Sequence, residues 1–142
     1  METKVYDLGK IKDEKLKFAV IVSKYNNEFV YVKHKDRNTW EIPGGHREVD
    51  EEIDDTAKRE LIEESGAIKF NIEAVCDYSV EKVGTEISYG RVYYAEIEEL
   101  GKLPDLEIGE VKLFHSMPEN LTYPAIQPLL LQMVEENLGC QS

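Results

Sequence analysis

The sequence predicts a mixed α/β (α+β) fold in which one mixed β-sheet lies between helices. Three observations indicate this. Short apolar or alternating segments, typical of strands, flank a helix-like segment in the first half of the chain. A second helix-like segment, with its apolar residues on one stripe, closes the chain. Strands, a helix, more strands and a closing helix are the order expected of a sheet covered by helices.

The first predicted strands form a hairpin. Residues 16–23 are a β-branched apolar run, and residues 29–33 alternate apolar and polar side chains. The two asparagines at 26–27 favour a tight turn between them. An extended pattern resumes at residues 40–42 and should end at the Pro-Gly-Gly of residues 43–45, where we expect a loop to begin.

The central helix is predicted over residues 54–64, because apolar positions such as Leu61 recur there at helical spacing. Asp54 and Asp55 are predicted to cap its N-terminus and to complement the helix dipole. Gly66 suits the residue that ends the helix, since glycine adopts the left-handed conformation at little cost.

The second half of the chain predicts two further strands joined as a hairpin and then a closing element. Residues 68–82 and 85–97 alternate and are separated by a Val-Gly pair, and residues 111–115 form another short strand. Residues 124–138 predict an amphipathic helix, in which Pro128 is tolerated if the regular helix begins close to it. Its apolar stripe consists of Ile126, Leu129, Leu130, Met133, Val134 and Leu138.

Size and charge limit the function. A chain of 142 residues is expected to form a single domain over residues 1–142. The formal net charge is −12, with 29 acidic and 17 basic residues. Because nucleic-acid backbones require clustered Lys and Arg, a polymeric nucleic-acid partner is excluded, whereas a small ligand is not.

The two cysteines and the first residues bear on localisation. Cys76 and Cys140 make neither a disulfide framework nor a metal-ligand spacing, so we expect free thiols in a reducing cytoplasm. Residues 1–16 contain no apolar run, and no later segment reaches the length of a membrane span. The sequence therefore predicts a cytoplasmic protein without a membrane partner.

Three carboxylates of the central helix predict a metal site. Glu60, Glu63 and Glu64 stand at i, i+3 and i+4, so their side chains share one helix face. Such a cluster repels itself unless a cation neutralises it, and an all-oxygen set suits Mg²⁺, or alternatively Mn²⁺. Because Mg²⁺ keeps open positions that phosphate oxygens can take, a phosphate-linked substrate is the natural partner.

Residues around the cluster are predicted to support it. The fork of Arg59 can bind Glu51 and so fix the preceding loop against the helix. Gly44 and Gly45 allow the backbone to approach a ligand closely, and the free Gly44 carbonyl could complete the metal shell.

The spacing of these residues resembles the Nudix box: Gly, five residues, Glu, seven residues, Arg-Glu, an aliphatic residue, any residue, Glu-Glu, any residue, Gly and a hydrophobic residue. Residues 40–45 also look like the strand that enters the box. The matching positions are Gly45, Glu51, Arg59, Glu60, Leu61, Glu63, Glu64, Gly66 and Ala67. The resemblance implies the Nudix fold, a mixed sheet between helices with the box as a loop-helix-loop.

The resemblance also implies an activity: Mg²⁺-dependent hydrolysis of a diphosphate linkage in a nucleoside diphosphate derivative. Glu60, Glu63, Glu64 and the Gly44 carbonyl would hold the metal, with Arg59 and Glu51 in support. The general base varies within the family, and Glu110 is the preferred candidate here, with Glu107 as a neighbouring alternative. Glu60 is the runner-up.

Substrate choice is the least determined prediction. Gly45, Gln127 and Trp40 are candidate substrate-binding residues, and the position of Gln127 resembles that of the base-reading amide of mutator-type nucleoside triphosphate pyrophosphohydrolases. A (deoxy)nucleoside triphosphate, cleaved to the monophosphate and pyrophosphate, is therefore preferred. The alternatives are a nucleotide sugar, a dinucleoside polyphosphate, or a nucleotide sensor without turnover. By analogy with the family, a homodimer is also expected.

Overall fold

A computed structural model of the chain describes residues 2–141 and the side chains of residues 2–137. Leu138 of the predicted apolar stripe and Cys140 have side chains outside that part. The strands are β1 (Glu2–Asp7), β2 (Leu16–Tyr25), β3 (Glu28–His34), β4 (Gly44–His46), β5 (Ala67–Glu81), β6 (Ile87–Leu100) and β7 (Ile108–Phe114). The α-helices are α1 (Ile53–Ser65) and α2 (Gln127–Gln141), and a 3₁₀ turn covers Asp13–Lys15.

The strands form one mixed sheet in the order β1-β5-β6-β2-β3-β7, with β4 attached to β2. Strands β2 and β6 run parallel, and the other pairs are antiparallel. Both predicted hairpins are confirmed. Asn26 and Asn27 both have positive φ, which explains why asparagines occupy the first turn.

Helices cover both faces of the sheet, which confirms the predicted fold class. On one face, α1 buries Ile53, Ala57 and Leu61 against Ile21 and Tyr93. On the other face, α2 buries Leu130, Leu131 and Val134 against Val22, Val92 and Tyr94. Neighbouring residues of β2 point to opposite faces, as the two-residue period of a strand requires.

Strand β2 parts from β3 along its length, and this separation shapes the functional site. The two strands pair at Lys24 and Tyr25, whereas Phe18, Ala19 and Val20 pair with β4 instead. The chain from residue 41 to residue 46 is thus inserted between β2 and β3. The expected loop at residues 43–45 is wrong at Gly44 and Gly45, because both belong to β4 and pair with β2. The pairing is close enough to require glycine at position 44, where a Cβ would lie 2.6 Å from the Ala19 carbonyl oxygen.

Three further details differ from the sequence prediction. Strand β1 was not predicted, because its side chains are largely exposed and it lies at the sheet edge, where little apolar patterning is needed. Helix α1 has Glu52 as its N-cap residue, so Asp54 and Asp55 lie in its first turn and do not cap it. Helix α2 begins at Gln127, with Pro128 as its second residue, where no backbone N–H is needed. Neither helix, within the described residues, is long and apolar enough to cross a membrane.

Candidate active site

A cleft of about 1140 Å³ is lined by residues from β2, β3, β4, α1 and α2. Two kinds of surface meet in it. The acidic part contains Glu60, Glu63, Glu64 and Glu107. The apolar and aromatic part contains Phe18, Val20, Tyr78, Val80, Ile126 and Leu130. A cleft that combines a wall of carboxylates with an apolar surface can hold a ligand with one charged end and one planar end.

Helix α1 brings the three predicted carboxylates to the cleft. The apolar side of α1 packs on the sheet. Arg59, which belongs to the same helix, pairs with Glu60 and Glu63. The Arg59 guanidinium donates to Glu60 Oε1 at 2.8 Å and to Glu63 Oε2 at 3.3 Å. Burial raises the pKa of Glu60 despite this contact.

Glu64 is the most buried of the three carboxylates. Its side chain is 6% exposed, and its Oε1 accepts a hydrogen bond from the Gly44 backbone N–H at 2.9 Å. Burial raises the pKa of Glu64 to about 8, and the nearby Glu60, Glu41 and Glu107 act in the same direction. A buried carboxylate surrounded by like charge is a group that a cation would stabilise.

Arg59 joins the loop before α1 to the helix. Its Nε donates to Glu51 Oε2 at 2.7 Å and its second terminal nitrogen to Glu51 Oε1 at 3.1 Å, a bidentate pair. Glu51 also accepts hydrogen bonds from the Thr56 hydroxyl and the Glu48 backbone N–H. The hydrogen bonds from Arg59 lower the pKa of Glu51 to about 2. This network fixes the loop at residues 47–52 relative to the carboxylates.

Glycine at position 45 is explained by the approach of Glu60. A Cβ at this position would lie 2.5 Å from Glu60 Cδ and Oε1. The conflicting atoms belong to the end of a flexible side chain, so the backbone need not move. Glycine therefore sets where the Glu60 carboxylate can rest.

We expect Gly45→Ala to leave the fold intact but to displace the Glu60 carboxylate. The affinity for Mn²⁺ should fall by about tenfold, as for other changes around metal ligands. Isothermal titration with Mn²⁺ measures the affinity, and thermal melting of the metal-free variant checks the fold. An unchanged affinity would show that the position of Glu60 is irrelevant to metal binding.

A further group faces Glu64 from across the cleft. His34, at the end of β3, places Nε2 3.0 Å from Glu41 Oε1 and 3.7 Å from Glu64 Oε2. His34, Glu64 and Glu107 each offer a ligand atom, and these atoms lie within 4.8 Å of one another, so the three residues could hold a divalent cation. No local pattern indicated His34, because it lies outside the box and approaches it only through the pairing of β3 with the segment around Glu41.

Two predicted residues do not reach the cleft. Glu110 lies on β7 and does not line the cleft; its half-exposed side chain pairs with Lys33 at 3.2 Å, whereas Glu107 is on the cleft wall. The rings of Trp40 and Phe114 are 5.2 Å apart, and Trp40 packs against the core on the α2 side without lining the cleft. Because β7 is antiparallel to β3 and Glu110 is opposite Lys33, salt-bridge formation there is favoured.

Gln127 does line the cleft and is 7% exposed. Its Oε1 accepts a hydrogen bond from the Ile42 backbone N–H at 3.0 Å, which ties the start of α2 to the segment inserted between β2 and β3. The amide nitrogen is the part of this side chain with donors to offer a ligand.

Comparison with known proteins agrees with this fold. The family model described as the NUDIX domain matches residues 14–128. This range contains every carboxylate of the acidic part of the cleft. The chain therefore belongs to the Nudix hydrolase family, which confirms the resemblance of the sequence.

The names of individual relatives refer to different activities and ligands. A Bacillus subtilis (strain 168) protein named "Putative 8-oxo-dGTP diphosphatase YtkD" is 33% identical over 108 residues, or 75% of this chain. The aligned part spans 66% of that relative's length. The crystal structure of the Bacillus subtilis pyrophosphohydrolase BsRppH matches with a TM-score of 0.80 and 24% identity over 94% of this chain and 90% of that chain. The NUDIX domain of Shewanella oneidensis NrtR, complexed with ADP ribose, matches with a TM-score of 0.68 and 19% identity over 94% of both chains. Below 25% identity, such likeness shows the fold alone.

Proposed function

We propose that the chain hydrolyses a diphosphate linkage in a (deoxy)nucleoside triphosphate or a closely similar nucleotide, releasing the monophosphate and pyrophosphate. One observation carries the proposal: a single cleft of about 1140 Å³ joins the acidic part to the apolar part. Phosphates bridged by a cation suit the first part, and a nucleobase suits the second. Membership of the Nudix hydrolase family also supports hydrolysis of a diphosphate linkage.

The donor set of the acidic part fits a divalent cation. Its ligands are carboxylate oxygens, which Mg²⁺ prefers, and burial disfavours the charged form of Glu64, which a bound cation would stabilise. Glu63, Glu64 and the Gly44 carbonyl, together with Glu60, are the residues that would hold Mg²⁺. A bound divalent ion supplies two things: a lowered pKa of the attacking water and positive charge against the diphosphate.

A carboxylate must also accept the proton of the attacking water. Since Glu110 lies outside the cleft, we assign this role to Glu60, the runner-up candidate. Burial raises the pKa of Glu60, which makes its carboxylate a better proton acceptor near neutral pH. Arg59 holds Glu60 Oε1 at 2.8 Å and so orients the acceptor.

Glu60→Gln tests this assignment. We expect the turnover number to fall by about 100-fold or more, the usual loss when a general base is removed. Because Glu60 is also one of the residues that would hold the ion, the Mn²⁺ affinity should fall by about tenfold as well. The loss of turnover should nevertheless persist at saturating Mn²⁺, because a bound ion does not replace the proton acceptor. Mn²⁺ titration and initial rates over a range of Mn²⁺ concentrations measure the two effects. A turnover number that recovers at saturating Mn²⁺ would leave Glu60 as a metal ligand alone.

The preference for a nucleoside triphosphate rests on the apolar part of the cleft. Phe18, Val20 and Tyr78 offer flat and aliphatic surface of the kind that binds a nucleobase. The Gln127 amide nitrogen could donate to a base carbonyl there. The name of the Bacillus subtilis relative, "Putative 8-oxo-dGTP diphosphatase YtkD", supports a triphosphate with an oxidised base as one member of the substrate class.

A second candidate is a nucleotide sensor that binds without turnover. Similarity to the NrtR NUDIX domain with bound ADP ribose supports it, although that likeness concerns the fold. The full set of box carboxylates favours the enzyme. Nucleotide sugars and dinucleoside polyphosphates are the other substrates to compare.

A substrate panel tests the proposal. The protein is incubated with Mg²⁺ and nucleoside triphosphates, oxidised deoxynucleoside triphosphates, nucleotide sugars and dinucleotides, and the products are separated by chromatography. We expect monophosphate and pyrophosphate from a triphosphate. A ligand that raises the melting temperature without forming product would instead support the sensor.

Three expectations from the sequence stay predictions: the single domain, the cytoplasmic location and the homodimer.

A further inference from the structure

Arg47 lies on the cleft wall, among the five residues that the box leaves unspecified before Glu51. Its side chain is 19% exposed. Nε donates a hydrogen bond to the Glu51 backbone carbonyl. Nη1 donates to the backbone carbonyls of Asp13 at 2.8 Å and Leu16 at 3.4 Å, and Nη2 donates to Asp13 Oδ2 at 3.0 Å. One side chain thus joins the box loop to the turn that precedes β2.

The loop at residues 47–52 depends on such contacts for its shape. It contains neither helix nor strand. Asp50 has a φ of 64°, a left-handed conformation that costs energy in any residue other than glycine. The turn at Asp13–Lys15 leads directly into β2, a strand in the middle of the sheet. Arg47 therefore fastens an irregular loop to a rigid part of the fold.

Glu51 is held at both ends by two different arginines. Arg47 binds its backbone carbonyl, whereas Arg59 binds its carboxylate with two hydrogen bonds. The same Arg59 guanidinium donates to Glu60 Oε1 at 2.8 Å. A displacement of the Glu51 backbone would therefore shift Arg59 and, through it, the Glu60 carboxylate.

We propose that Arg47 is a positioning residue for the metal site, which acts by fixing Glu51 and through it Arg59 and Glu60. The four hydrogen bonds occupy most of the N–H donors of its guanidinium, which favours this role over direct binding of a phosphate. The proposal rests on the proposed function for its effect on turnover, but its effect on metal affinity is measured without substrate.

Arg47→Ala tests the proposal. The Mn²⁺ Kd should rise by about tenfold or more, as when a group that orients metal ligands is removed. The turnover number should fall by a similar factor, whereas KM for the nucleotide should change by less than about threefold. Isothermal titration with Mn²⁺ and initial rates measure these effects, and thermal melting of the metal-free variant checks the fold.

Two further variants separate geometry from charge. Arg47→Lys keeps the positive charge but lacks the planar fork, so it should lose most of the same Mn²⁺ affinity. Lys69→Ala removes one positive charge from an exposed pair with Glu98 and should bind Mn²⁺ as the wild type does.

Asp13→Ala isolates the turn that Arg47 binds. This change removes one acceptor but leaves the two backbone carbonyls, so the Mn²⁺ Kd should rise by less than about threefold. Added to Arg47→Ala, it should have no further effect, because the two residues act through one contact.

A folded Arg47→Ala protein with the Mn²⁺ affinity of the wild type would reduce Arg47 to a structural role and overturn the proposal. A raised KM with an unchanged turnover number would overturn it in favour of a phosphate contact. If Arg47→Ala does not fold, wild-type affinity in Arg47→Lys overturns it instead. Failure of the proposed function looks different: the wild type hydrolyses no nucleotide, yet Arg47→Ala still weakens Mn²⁺ binding.

Discussion

Glu64→Gln should abolish metal-dependent hydrolysis while leaving the protein folded. Glutamine keeps the shape of the side chain and can still accept the hydrogen bond from the Gly44 N–H. It loses the negative charge that would hold the cation. If that cation contributes about 4 kcal/mol to the transition state, kcat/KM should fall by about a thousandfold. Initial rates at saturating Mg²⁺ measure the loss.

The same variant should stabilise the metal-free protein. Burial raises the pKa of Glu64 to about 8 in the folded state, from an ordinary value of 4.5. The folded state therefore binds the proton more tightly, and stability is full below about pH 4.5 and is lost as pH rises through about 8. Denaturant unfolding in the presence of a chelator should show this loss, on the order of a few kcal/mol, in the wild type and not in Glu64→Gln.

Glu63→Gln is the matched control for the stability effect, because the Glu63 side chain is 40% exposed, whereas that of Glu64 is 6% exposed. It should follow the pH dependence of the wild type. A Glu64→Gln variant that is less stable than the wild type at pH 8 without metal, or that retains most of its activity, would contradict the role given to this carboxylate.

Arg59→Ala should cause the largest loss of stability. Arg59 pairs with Glu51, Glu60 and Glu63, and the first two of these side chains are 14% and 12% exposed. Removing one partner of a largely buried ion pair leaves uncompensated charge and costs about 3–5 kcal/mol. Urea unfolding at pH 7 measures the change. Activity should fall as well, because the loop at residues 47–52 is no longer tied to α1.

The pH dependence of the stability loss in Arg59→Ala tests whether the ion pair with Glu51 causes it. Because hydrogen bonds from Arg59 lower the pKa of Glu51 to about 2, this pair stabilises the fold above about pH 4.5 and loses that effect as pH falls towards 2. The difference between wild type and Arg59→Ala should therefore shrink in acid. Lys69→Ala, which removes an exposed pair with Glu98, should cost less than about 1 kcal/mol and serves as the control. A cost for Arg59→Ala no larger than that control would contradict the network.

The fold could be predicted because its main elements carry local signals. Strands β2 and β5 alternate or contain β-branched runs, α1 has helical spacing and ends at Gly66, and α2 has one apolar stripe. Strands β1 and β4 lack such patterns: the first is an exposed edge, and the second is a glycine pair held by β2. Strands β1 and β4 both form by pairing with segments distant in the sequence, and a local sequence pattern does not predict such pairing.

The site was predictable only where it is contiguous in sequence. Helical spacing predicts that the carboxylates of α1 share one face. The ability of the Arg59 guanidinium to bind a carboxylate with two hydrogen bonds predicts its contact with Glu51. His34 reaches the cleft through strand pairing, and the choice between Glu107 and Glu110 depends on where β7 begins. Residues three apart near a strand start can point to different surfaces, which spacing alone does not resolve.

The most direct test of the central claim is the release of pyrophosphate from a nucleoside triphosphate as Mg²⁺ is titrated into the chelated protein. The wild type and Glu110→Gln, whose changed side chain pairs with Lys33 outside the cleft, should both gain activity with Mg²⁺. Glu64→Gln should stay near the chelated baseline throughout. Equal Mg²⁺ responses in Glu64→Gln and the wild type, or a folded wild type that releases no pyrophosphate at any Mg²⁺ concentration, would contradict the account.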